Sequence, residues 1–280
     1  MFSLYTMKPI EVFYHFYIPA DLRACMWSWW ADAQISAIKK SKLHNIANIN
    51  MAITLSKNWN HFCGQQYTKN GQDYDIPNIP FENLITFSEK VKEYINIRYP
   101  FVNILDIRDI DEKNIYEGHT LQFLYNTCKE KDVNVLYFNN KGITKTLTSP
   151  STLNWREVLD FICISNWEKC VSKLQEYDVV GVKDKNSHPR VLSGNYFWSK
   201  SEYIRKLSDP LDSTSYVKQE WFPEDPERPG WTLQIGPEER GYRWAFEHWP
   251  VSNNPKISWI VDTKTHHYAE YCFPEQITFN

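Results

Sequence analysis

Glycine is scarce in this chain, nine among 280 residues, and none of the nine forms a phosphate-cradling loop. There is no G-x-x-x-x-G-K-[S/T], no G-x-G-x-x-G and no G-x-S-x-G. Those absences argue against kinase, dehydrogenase and hydrolase chemistries, which need such turns to approach a phosphate or expose a nucleophile. The six cysteines, at 25, 63, 128, 163, 170 and 272, contain no C-x-x-C pair, and no H-x-E occurs. The pattern disfavours a zinc site or a disulfide framework and suits free thiols in a reducing compartment. A basic excess is missing too: 31 Lys and Arg against 34 Asp and Glu give a net charge of −3. A nucleic-acid-binding surface is therefore not expected, since it needs clustered cations to displace phosphate counterions. No stretch reaches the roughly 18 uncharged apolar residues of a membrane span, and Met1 to Pro9 lacks the pattern of a secretory signal. The expectation is a soluble, cytoplasmic protein.

What the chain has in abundance is aromatic residues: 12 Trp, 17 Tyr and 15 Phe make up 16% of it. Most of these must fill a core. A minority lining a groove, where sugars stack on flat apolar faces, is the functional alternative, and composition does not separate the two.

Periodicity places the elements. Ile10–Ile18 is β-branched and aromatic, closed by Pro19, and reads as a buried strand. Asp21 then caps a helix running to Ser41. Further strands are expected at Ile46–Leu55, Phe101–Ile107, Val133–Phe138, Tyr177–Val182 and Ile257–Val261, with an extended piece at Leu192–Trp198. Helices are expected at Thr86–Ile97, Glu117–Lys129, Thr152–Ile164, Trp167–Glu176, Ser199–Leu207 and Tyr242–Trp249, and polar loops over 58–80 and 208–240. Strands alternating with helices predict an α/β fold with a mainly parallel sheet covered on both faces. The chain reads as one domain, 1–280, with its two halves meeting near 145 and a C-terminal extension.

In such sheets ligands bind beyond the carboxyl ends of the strands. Four such ends carry suggestive residues: His15-Phe16-Tyr17, Asn139-Asn140-Lys141-Gly142, Lys183–His188, and Gly194-Asn195-Tyr196-Phe197-Trp198. Lys141 offers a cation and Gly142 close backbone approach, although Asn and Gly are also ordinary turn residues. Gly194-Asn195 bends the chain beside three rings, which suits either a sugar groove or a bulge in a core strand. The acidic candidates Asp225, Glu227, Glu238, Glu239 and Glu247 fall late in the chain. Glu247 stands among apolar and aromatic neighbours that would raise its pKa, as a base requires, or it pairs with Arg243 four residues back on a helix surface. His266-His267 could supply one metal ligand but more simply marks an exposed strand end.

The runs YEGHTLQFLYNTCKEKDVNVLYFNNKGIT, NWREVLDFICI, CVSKLQEYDVVGV and LSGNYFWSKSEYIRKL, in that order from Tyr116 to Leu207, resemble a group of small bacterial and viral glycosyltransferases. The segment Ala37–Leu43 and the trio Arg243, Glu247 and Trp249 fit the same pattern. The resemblance implies a GT-A-like fold and transfer of a sugar from a nucleotide-sugar donor to a saccharide or glycan acceptor. Carried over by position, it implies donor contacts from His15, Phe16, Tyr17, Asn139, Lys141, Gly142 and Arg156. Acceptor contacts fall to Gly194, Asn195, Tyr196, Trp198 and Trp249, with Glu247 as the base. At 139–142, where other GT-A enzymes place a D-x-D, this chain has Asn-Asn-Lys-Gly. Mn2+ or Mg2+ is then a weakly held cofactor at most, with Lys141, Arg156 or a helix N-terminus neutralising the leaving diphosphate. A non-catalytic carbohydrate-binding protein is the alternative, and a nucleotidyltransferase a third reading.

Overall fold

The computed structural model describes residues 7–18, 27–55, 67–69, 72–74, 84–109, 117–140, 150–183, 192–212 and 246–262. Its centre is strand β1 (Ile10–Ile18), which pairs in parallel with β2 (Ala47–Leu55) on one side and β6 (Asn134–Asn139) on the other. Being flanked and covered on both faces, β1 is apolar almost throughout, which is why its bounds were legible in the sequence. β5 (Val102–Asp109) pairs in parallel outside β2. Beyond β6 lie β8 (Phe197–Lys200), β7 (Val179–Lys183) and β9 (Ile257–Asp262), giving the order β5-β2-β1-β6-β8-β7-β9.

The sheet is mostly parallel, as the alternation of elements predicts, with one exception: β8 runs antiparallel to both β6 and β7. A tight turn over Ser193–Asn195 precedes it, where an extended piece is expected from the sequence. The segment 58–80, expected as loop, contains a small antiparallel hairpin of β3 (Tyr67–Lys69) and β4 (Gln72–Tyr74).

Alternate residues of the strands feed two cores. On one face Val12, Tyr14 and Phe16 meet α1 (Trp27–Lys40), α2 (Leu84–Arg98), α4 (Pro150–Asp160) and α5 (Trp167–Lys173). On the other, Phe13, Val135 and Tyr137 meet α3 (Gly118–Glu130), α6 (Ser201–Ile204) and the turn around Phe246 and Trp249. The end of α4 continues into a π-helical turn, Phe161–Ser165. Cys128, Cys163 and Cys170 are free and buried, as expected; burial pushes the Cys128 thiol up to about 12 and the other two upward as well.

Candidate functional site

Counted among the sheet strands alone, the order is 3-2-1-4-6-5-7. Its first half matches the doubly wound arrangement, in which the direction of winding reverses between the first strand and the fourth. Here the reversal falls between β1 and β6, and a crevice beyond their carboxyl ends is where such sheets hold ligands. The last rungs of that ladder pair His15 with Asn139. One residue further, the Asn140 side chain continues the ladder. Its Oδ1 accepts from the Tyr17 N–H at 3.0 Å and its Nδ2 donates to the Tyr17 carbonyl at 2.7 Å.

On the α1/α4 face of this edge lies a buried polar hub. Gln34 of α1, fully enclosed, accepts from the Tyr14 hydroxyl at 2.6 Å. Its Nε2 faces the Asn139 carbonyl at 3.1 Å, Asp160 Oδ1 at 3.1 Å and the Tyr196 hydroxyl at 2.7 Å. The Tyr196 hydroxyl in turn donates to the Asn139 carbonyl at 2.5 Å and reaches Asp160 Oδ1 at 3.2 Å. Burial raises the Asp160 carboxyl to about 6, against the opposing pull of Arg156 and of its hydrogen bonds to Gln34 and Tyr196. Burial likewise pushes Tyr14 and Tyr196 well above the usual phenol range.

α1 and α4 both run away from the carboxyl edge. Trp30 lies one turn before Gln34 and Arg156 one turn before Asp160, each about 6 Å along its helix axis. Arg156 is only 3% exposed, yet its Nε and Nη1 have no hydrogen-bond partner among the described residues. The guanidinium carbon sits 4.3 Å from the Trp30 ring centroid and 5.5 Å from that of Trp29, and Nε is 3.8 Å from Asp160 Oδ2. A buried cation with unused donors is an anion site in waiting, because desolvated charge is costly unless paired and hydrogen-bonded.

The α3 face of the same edge carries His15 and Glu117, both buried. His15 Nδ1 lies 3.0 Å from Thr120 Oγ1, and burial followed by the nearby His119 lowers the imidazole to about 3, so it is uncharged. Glu117, at the start of α3, accepts from the Tyr137 hydroxyl at 2.6 Å and from Asn139 Nδ2 at 3.2 Å. Asn139 Nδ2 also donates to the Gly194 carbonyl at 3.1 Å, which joins the turn before β8 to the edge of β6. Gly194 has φ +66, and a Cβ there would stand 2.6 Å from Leu159 Cδ1, so a larger residue would be strained and would displace the Leu159 methyl. Asn195 follows with φ +56.

Of the residues singled out in the sequence, His15, Asn139, Arg156, Gly194, Asn195 and Tyr196 thus come together on one edge. His15, Phe16 and Tyr17 are not a loop but the end of β1, and Phe16 is fully enclosed on the α1 face. Trp198 and Trp249 are enclosed in separate cores on opposite faces, their indole N–H groups donating to Cys163 O and Ser208 O at 2.8 Å. Neither ring offers a face to a groove. Glu247 is buried beside Phe246 and Trp249, on the α3 side. Lys141, Gly142, Arg243, Asp225, Glu227, Glu238, Glu239, His266 and His267 lie outside the described residues. Gln34 and Asp160 were missed in the sequence. Their only signal was a polar residue on the apolar face of each helix.

Asp-x-Asp triplets do occur away from the 139–142 turn, at Asp73-Tyr74-Asp75 and Asp109-Ile110-Asp111. The motif is thus missing from the 139–142 turn but not from the chain. Asp109 ends the edge strand β5, two strands from β1, and Tyr74 ends β4. Among the described residues no three His, Cys, Asp or Glu side chains gather as metal ligands would.

The fold is α/β, a seven-stranded, mostly parallel sheet flanked by helices on both faces and doubly wound over its first four strands. The chain belongs to the family described as "Domain of unknown function (DUF8361)", whose model matches residues 88–258. A solved structure from Desulfovibrio desulfuricans G20, provisionally described as a nucleotide-diphospho-sugar transferase, aligns at 10% identity over 74% of this chain and 68% of that one, with a TM-score of 0.34. Comparison with curated proteins gives no match. Among the described residues no helix is long and apolar enough to cross a membrane.

Proposed function

We propose that this protein is a glycosyltransferase that binds a nucleotide-sugar in the crevice between β1 and β6 and transfers the sugar to a saccharide or glycan acceptor. The observation that carries the reading is Arg156: a buried guanidinium at the switch point, stacked on Trp30, with two donors unused. A diphosphate is the ligand such a group suits. Its planar fork matches two phosphate oxygens, and its fixed charge stabilises the nucleoside diphosphate as it leaves. Asp160 and the Gln34–Tyr196 hub hold the α4 turn that presents it. The resemblance of the 116–207 segments to small glycosyltransferases points the same way. Lys141 and Gly142 would add to the diphosphate side, Mn2+ or Mg2+ would share the leaving charge if bound, and Glu247 would take the acceptor proton.

The test is a thermal-shift and calorimetric screen of the full chain against nucleoside diphosphates, with and without Mn2+. A ligand that binds the folded form alone raises its melting temperature. The reading expects a nucleoside diphosphate to bind, and Arg156→Met to abolish the shift. Binding of saccharides with no response to any nucleoside diphosphate would instead support a carbohydrate-binding protein.

A further inference from the structure

We infer that Asn195, together with Oδ1 of Asn139, recognises hydroxyl groups of the sugar carried by the nucleotide, while Arg156 holds the phosphates. This rests on the glycosyltransferase reading above and assigns Asn195 to the transferred sugar rather than to the acceptor.

Two independent costs meet at Asn195, and nothing among the described residues offsets either. Its backbone sits at φ +56, a left-handed conformation that glycine would adopt without strain and that follows a glycine already at φ +66. Its side chain is fully enclosed, and both amide atoms, Nδ2 and Oδ1, lack a hydrogen-bond partner. Buried amides are paired in nearly every native structure, and a left-handed asparagine normally repays the conformation with a local hydrogen bond. Asn139 adds a third orphan: its Nδ2 is engaged by Glu117 and Gly194, but its Oδ1 has no partner. The Asn139–Gly194 hydrogen bond ties the Asn139 side chain to the backbone carbonyl of the residue just before Asn195.

The chemistry of the orphans names the ligand. An amide offers one donor group and one acceptor, and Asn139 Oδ1 a second acceptor; none carries charge. That set complements a neutral polyol, whose hydroxyls each donate and accept, and it is a poor match for an anion. The charged group lies on the other side of the hub, through Tyr196 and Asp160 to Arg156. Anion recognition and hydroxyl recognition are thus adjacent but separate, as they are in a sugar joined to a diphosphate.

Asn195→Gly separates a binding role from a structural one, because glycine relieves the backbone and removes the orphaned amide. The full chain and the variant are compared by calorimetry with UDP, UDP-glucose, GDP and GDP-mannose, and by thermal melting without ligand. The inference expects an unchanged or raised melting temperature. It also expects affinity for the sugar-bearing ligand to fall about tenfold, the worth of a neutral hydrogen bond, and affinity for the matching diphosphate to hold. Asn195→Asp, which keeps the shape but exchanges the donor for an acceptor, should show the same selective loss. A lowered melting temperature with unchanged affinities would mean that an ordered water satisfies the amide, and would overturn the inference. Equal loss for diphosphate and nucleotide-sugar would overturn it too. If the unaltered chain binds none of the four, the glycosyltransferase reading itself fails.

Discussion

The guanidinium of Arg156 rests 4.3 Å from the ring centroid of Trp30, with the Asp160 carboxylate no nearer than 3.8 Å. The cation is held in place by an aromatic face and a loose ion pair rather than by hydrogen bonds, so its donors stay available. A guanidinium committed to a bidentate carboxylate pair would have none to give. This separation between what positions the group and what it can bind is what the proposed diphosphate site at the β1/β6 edge depends on.

Arg156→Met should weaken nucleoside diphosphate binding about ten- to a hundredfold, the loss expected for charge-assisted hydrogen bonds. Arg156→Lys should recover only part of it, since an ammonium lacks the planar fork. At pH 5, where Asp160 holds its proton, Arg156→Met should melt no lower than the parent, because the group removed is a desolvated cation with unpaired donors. Calorimetry and melting curves read the two effects separately. A variant that unfolds while its residual folded fraction binds normally would make Arg156 a structural residue.

Asp160 and His15 should tilt the pH dependence of stability in opposite senses. The folded-state pKa of Asp160 is raised to about 6. The folded protein therefore binds more protons than the unfolded chain between about pH 4 and 6, and stability falls as pH rises through that window. Asp160→Asn should remove this slope and leave the variant relatively more stable above pH 6, by up to about 3 kcal/mol. His15 is lowered to about 3, so the unfolded chain takes the extra proton. That contribution is present above about pH 6.5 and is lost as pH falls towards 3. His15→Asn should flatten the acid side. Urea titrations of the parent and both variants between pH 4 and 8 check the signs.

The difference between what was legible in the sequence and what was not follows the range of the interactions. β1 could be bounded because burial on both faces writes one unbroken apolar run, and α3 because Glu117 opens it at a polar boundary. The reversal of β8 could not, because it depends on two successive left-handed residues, Gly194 and Asn195, whose letters equally describe a bulge. Trp198 and Trp249 looked like groove residues because aromatic letters do not say which side of a sheet they occupy. The two rings fill different cores. Gln34 and Asp160 are 126 positions apart, and nothing local to either announces that they meet.

Asn140 clamps both backbone groups of Tyr17, so Asn140→Ala should release the carboxyl end of β1. Two hydrogen bonds from a partly buried amide suggest a loss of about 1 to 3 kcal/mol. The local signature is faster hydrogen exchange at the Tyr17 amide, with the His15 and Phe13 amides still protected. Uniformly faster exchange along β1 would mean that the strand end is held by other contacts and the substitution acts globally.

Glu247→Gln tests the base. Phe246 and Trp249 on either side of Glu247 belong to the core on the α3 face, whereas Arg156 stands on the α4 face. If Glu247 takes the acceptor proton in a direct displacement of the diphosphate, the product carries an inverted anomeric carbon. Removing a general base typically lowers turnover about a hundred- to ten-thousandfold. Glu247→Gln should lose that much in kcat, with nucleotide-sugar affinity preserved, because the glutamine fills the same buried volume but cannot take a proton. Nuclear magnetic resonance of the product's anomeric proton reads the stereochemistry. A retained configuration, or turnover unchanged by the substitution, would remove Glu247 from the reaction.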